Sequence, residues 1–146
     1  MLPLLVMSVS ILLSRALGAG GLLPVGSWAV ATRVGLAVML LFTASAHFTK
    51  MKADLARMVP PALPRPELLV AVTGVLEIAG AVGLLIPSTA SLAAYALMAL
   101  LIAMLPANVN AAKAGVTLRG RPATPLLLRI PLQIVWIGLL WWSANP

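Results

Sequence analysis

The sequence predicts an all-α integral membrane protein. Of its 146 residues, 62% are hydrophobic and 9% are charged, against roughly 25% charged in an ordinary soluble domain. The mean hydropathy is +1.08. The apolar residues fall into five long runs, at 2–23, 28–48, 68–86, 91–105 (continuing towards 112) and 126–142. A helix rises about 1.5 Å per residue and needs about 20 apolar residues to cross ~30 Å of hydrocarbon, so each run reads as one spanning helix.

The first run, 2–23, has the length of a span but also some features of a secretory signal: an apolar stretch at 2–13 followed by small residues at 16–21. It lacks a preceding cationic segment and holds Arg15 inside it, which favours a retained helix; cleavage would leave four. The second run follows Gly26 and carries Arg33, Thr43 and His47. Pro60, Pro61, Pro64 and Pro66 separate it from the third, because proline removes a donor and blocks the helix interior. The third run is uncharged except for Glu77 and stops at Pro87-Ser88. The fourth carries Tyr95; Pro106 should end or kink it, freeing a carbonyl that the amides of Asn108 and Asn110 can satisfy. The segment 120–125 leads into the fifth, with Arg129, a kinking Pro131 and Gln133. With no internal repeat and no separate soluble region, residues 1–146 read as a single transmembrane domain.

Ten basic residues against three acidic ones give a net charge of +7. In a soluble protein that would suggest nucleic acid, but here the cations concentrate in two loops. Lys50, Lys52, Arg57 and Arg65 lie between runs two and three, and Lys113, Arg119 and Arg121 between runs four and five. The other two connections are uncharged. Under the positive-inside rule the N-terminus is then cytoplasmic and the C-terminus outside, in a plasma or inner membrane, and Trp28, Trp141 and Trp142 all fall at the outer interface. No nucleic-acid partner is expected. Zero cysteine excludes disulfides and thiolate chemistry, so a redox role needs a bound cofactor or a partner subunit. A single histidine argues against a self-contained metal site.

An ionisable group inside a spanning helix is a candidate functional site if its partner can be named. Rise per residue places Glu77 roughly 15 Å from the cytoplasmic end and Arg15, Arg33 and Tyr95 some 20 Å from the same side. Small neighbours flank each charge, which lets helices approach and points the charges inward. The expectation is one central layer in which Glu77 pairs with Arg15 or Arg33. That layer serves either as a structural ion pair or as a pocket whose surplus positive charge receives a quinone oxygen, a lipid phosphate, a carboxylate ligand or water. A second polar layer is expected near the cytoplasmic ends, from Thr43, His47, Glu67, Asn108, Asn110, Arg129 and Gln133. Glu77 and His47 are the candidates for proton transfer; no catalytic residue is assigned.

Several of these residues lie in motifs: 33–50 (RVGLAVMLLFTASAHFTK), 58–61 (MVPP), 73–83 (TGVLEIAGAVG), 106–110 (PANVN) and 129–133 (RIPLQ). In order and spacing they resemble the DoxX family of small bacterial and archaeal membrane proteins, over nearly everything from Trp28 onward. The resemblance implies a four-helix DoxX-like bundle with 2–23 as an additional N-terminal helix. Arg33, His47, Glu77, Asn108, Arg129 and Gln133 would take the family's polar positions.

The same resemblance implies an accessory in quinone, membrane redox or oxidative-stress systems, with quinone as the possible cofactor and an oxidoreductase subunit, membrane lipid or a second copy as partner. An assembly or scaffold protein, whose buried charges only specify the bundle, is the alternative. A proton or solute carrier has less support, since five short helices without an inverted repeat make a poor transporter.

Overall fold

The computed structural model describes residues 2–118 and 120–145. Arg119, one of the loop cations, lies outside the described residues. The elements in order are α1 (Leu2–Ala19), α2 (Trp28–Ala44) continued by a 3-10 turn (Ser45–Phe48), α3 (Lys52–Met58), α4 (Pro66–Leu85), α5 (Ala90–Ala103), α6 (Leu105–Lys113), β1 (Thr117–Leu118), β2 (Arg121–Pro122) and α7 (Leu126–Ala144). Five stretches are long and apolar enough to cross a membrane: Leu2–Ala19, Trp28–Phe48, Pro66–Leu85, Ala90–Lys113 and Leu126–Ala144. The fold is all-α, as expected, and its spans are those of a multi-pass membrane protein.

Helices α2, α4, α5 and α7 close a ring in which α2 packs on α4, α4 on α5, α5 on α7 and α7 back on α2, while α1 lies outside against α2. Their shared interior holds Leu36, Leu40, Ala81, Leu84, Ala94, Leu97 and Leu140. Small residues permit the tight contacts. A Cβ on Gly35 of α2 would run into Ile11 of α1 and come within 2.9 Å of the Met7 carbonyl. The absence of that one atom is what lets α1 lie flat on the bundle.

Local signals explain where the helices begin. Ser27 caps α2, its hydroxyl accepting from the Val30 amide at 3.3 Å, as N-cap serines do. Helix α4 starts at Pro66, two residues before the apolar run, because proline suits the first helical position. Arg65 precedes it in the left-handed region at φ 51°.

The fourth span differs from a single helix. It breaks at Met104 into α5 and α6, with Pro106 in the first turn of the second piece; the missing proline N–H and its ring clash account for the break. Helix α7 runs through Pro131. The cationic connections are also not plain loops: one contains α3, and the other contains β1 and β2, paired antiparallel with Thr117 opposite Pro122.

Candidate functional site

Two polar clusters lie inside the bundle, and the partners within them are not those the central-layer expectation named. The first gathers around Glu77. This residue stands on α4 and is 5% exposed, and the titratable side chain facing it is His47, also 5% exposed. The 3-10 turn after α2 turns the imidazole onto α4 at Gly74, where a Cβ would sit 2.6 Å from the His47 Cβ. The ring therefore lies against helix backbone. Its Nδ1 is 2.6 Å from the Val70 carbonyl oxygen. A carbonyl only accepts, so Nδ1 carries a proton and donates it, which fixes the tautomer. Nε2 is left facing Glu77 Oε1 at 3.8 Å, too far for a direct hydrogen bond.

Two threonines complete this cluster. Thr43 Oγ1 donates to the Leu40 carbonyl at 3.0 Å and lies 3.5 Å from Glu77 Oε2. Thr73 Oγ1 donates to the carbonyls of Leu69 and Val70, each at 3.0 Å. A carboxyl and an imidazole buried together carry no net charge whether the shared proton rests on oxygen or on Nε2. The arrangement can thus move one proton over a short distance without charging the membrane interior.

The expected central layer does not assemble. Among the described residues, the oppositely charged or titratable side chains that approach within 4 Å are Glu77 with His47, and Asp54 with Arg57 in α3. Arg33 instead turns to the end of α7, where Nε and Nη2 both donate to the Ser143 carbonyl, at 2.9 and 2.6 Å. The last carbonyls of a helix lack intrahelical partners, and a guanidinium is well suited to them. Arg15 stacks over the Trp28 ring, 5.6 Å from its centroid, a cation–π contact at one end of the bundle. Tyr95 is 46% exposed, and its hydroxyl donates to Asn145 Oδ1 at 3.1 Å. Among the described residues, Arg15, Arg33, Glu77 and Tyr95 therefore share no ion pair or hydrogen bond with one another.

The second cluster joins α5, α6 and α7. Arg129 Nη1 donates to Asn108 Oδ1 at 2.8 Å, Asn108 Nδ2 to Gln133 Oε1 at 3.3 Å, and Gln133 Nε2 to the Leu101 carbonyl at 2.6 Å. The carbonyl exposed at the α5–α6 break is thus closed by α7, not by Asn108 and Asn110. Asn110 Nδ2 instead donates to the carbonyls of Met58 and Val59, at 3.0 and 3.4 Å, tying down the end of α3. Glu67 is exposed in the first turn of α4 and joins neither cluster.

Two features of the sequence carry this arrangement. A helical Cα–Cβ bond tilts towards the helix N-terminus. Glu77 accordingly leans towards the Pro66 end of α4, where His47 sits, and Arg33 leans the opposite way along the antiparallel α2. Gly74, one turn before Glu77, marks the gap that admits the histidine.

No curated protein matches the chain, and no solved structure does. A family model does match, over residues 36–144, which include both polar clusters and all of the four-helix ring except the start of α2. The chain belongs to the family described as a domain of unknown function, DUF8561.

Proposed function

We propose that this protein is a DoxX-like accessory of a membrane system, acting as a scaffold that accompanies a partner's transmembrane helices, with no chemistry of its own. One observation supports this reading above the rest: four of the interior polar side chains are engaged in holding helix ends, a helix break or helix backbone. Arg33 closes the end of α7, Gln133 the break after α5, Asn110 the end of α3, and His47 the α4 backbone. Buried, satisfied polar groups of this kind specify a bundle. The DoxX-like order of motifs supports the accessory role. For orientation, the cations at one end and Trp28, Trp141 and Trp142 at the other favour a cytoplasmic N-terminus and an external C-terminus.

A second reading is favoured by one geometric fact, the 3.8 Å approach of His47 Nε2 to Glu77. It casts the pair as a proton donor and acceptor for a quinone handled by a partner enzyme. The two readings rank variants oppositely. Glu77→Gln and the lipid-face change Ile134→Asn, at a side chain 64% exposed, are compared by cross-linking of the tagged protein in cells and by quinone extraction from purified samples. Scaffolding predicts that Ile134→Asn loses the cross-linked membrane partner, that Glu77→Gln keeps it, and that no stoichiometric quinone is extracted. The opposite ranking, with bound quinone lost from Glu77→Gln, overturns it.

A further inference from the structure

The cationic end of the bundle holds a feature that the scaffold reading does not use. Where α3 meets the start of α4, Lys52, Arg65, Pro66, Glu67, Leu68 and Ala71 line an open depression of about 530 Å³, a size that suits a small polar group. Its rim is charged and of mixed sign. Among the described residues, none of Lys52, Arg65 and Glu67 has an ion-pair partner. Its wall is apolar: Leu68 is 52% exposed on the flank of α4, and Ala71 lies one turn deeper. Pro66 opens a stretch long and apolar enough to cross a membrane; a span starting there puts this rim at headgroup level and the wall at the top of the acyl chains.

We propose that this depression seats a phospholipid whose headgroup carries both a phosphate and a primary ammonium, with the phosphate between Lys52 and Arg65, the ammonium on Glu67, and an acyl chain along Leu68 and Ala71. Charge complementarity selects the occupant. A guanidinium and an ammonium suit a phosphate. An unpartnered carboxylate beside them disfavours a purely anionic headgroup and rewards one that brings its own cation. Three N–H donors on a primary ammonium can bond the carboxylate, whereas a trimethylated ammonium has none. The apolar wall favours a lipid over a free phosphorylated amine, since a soluble headgroup gains nothing from Leu68 and Ala71.

The test uses the full chain purified into phosphatidylcholine nanodiscs containing a minor fraction of phosphatidylethanolamine or phosphatidylglycerol, with retained lipid read by native mass spectrometry. The wild type should retain phosphatidylethanolamine over phosphatidylcholine by about tenfold, the worth of one charge-assisted hydrogen bond. Glu67→Gln should remove that preference and, by lifting the repulsion of an anionic headgroup, raise phosphatidylglycerol retention. Lys52→Gln with Arg65→Gln should lower retention of all three lipids, and Lys50→Gln, an exposed neighbour outside the depression, should change nothing. Soluble phosphoethanolamine should compete poorly. Equal retention of the two zwitterionic lipids, a preference that survives Glu67→Gln, or stronger retention of phosphatidylglycerol by the wild type would each overturn the proposal; full competition by phosphoethanolamine would overturn the lipid assignment.

Discussion

Gly74→Ala tests the seating of the histidine with the smallest possible change. The added carbon would stand 2.6 Å from His47 Cβ, 2.8 Å from Cγ and 3.0 Å from Phe48 Cε2. Carbon atoms pack at about 3.5–4.0 Å, so the turn carrying His47 has to retreat by about 1 Å. The first of these contacts is with the stem of the side chain and not its flexible tip, so rotation does not relieve it. A retreat of that size carries Nδ1 out of hydrogen-bond range of the Val70 carbonyl, now 2.6 Å away. Overpacking costs about 1–3 kcal/mol, and a buried donor left unpaired costs about as much again. The better helix propensity of alanine returns up to about 1 kcal/mol, for a net loss of about 1–6 kcal/mol. Gly138→Ala on α7 is the matched control, because nothing lies within 4 Å of its added carbon; it should be neutral or stabilising by up to about 1 kcal/mol. Unfolding in detergent, followed by tryptophan fluorescence, measures both. Shifts of the same sign and similar size in the two variants would refute the packing argument.

Arg33→Met removes two charge-assisted bonds to the Ser143 carbonyl and should cost about 1.5–3 kcal/mol, with faster amide exchange confined to the last turn of α7 as the local signature. For the buried pair, His47→Leu alone should cost about 3–5 kcal/mol because it strands Glu77, whereas His47→Leu combined with Glu77→Leu should cost less than the single change, as removing both partners of a buried pair typically does; unfolding of the three proteins checks the order. The absence of cysteine makes topology directly measurable. A membrane-impermeant maleimide added outside intact cells should label Ser88→Cys but not Ala114→Cys, and the reverse pattern would invert the orientation.

The spans were legible in the sequence because they rest on one dominant quantity, apolar length, and because Gly26, the proline cluster before Pro66 and Pro87 interrupt it sharply. Pro106 marked the α5–α6 break for the same local reason. The short elements in the cationic connections were not legible: α3 has only seven residues and the strands two each, too few to impose a periodic pattern.

At the site, sequence fixed which residues are polar and roughly how deep they lie, but depth gives a layer and not a direction around the helix. Glu77 was recognisable as an ionisable group inside a span, yet its partner depended on which way its side chain leans and on a missing Cβ at Gly74. Charge alone points Arg33 at the carboxylate. The competing acceptor, a backbone carbonyl at the end of α7, carries no signature in residue type.

The Glu77 cluster depends on how the one histidine of this chain is held, and that is directly measurable. Nitrogen-15 NMR of the histidine-labelled protein in bilayers should show Nδ1 protonated and strongly hydrogen-bonded, whether or not Nε2 also carries a proton, and Gly74→Ala should weaken that signal. A neutral ring with its proton on Nε2 and a bare Nδ1 would contradict the bond to Val70, and with it the placement of Nε2 against Glu77.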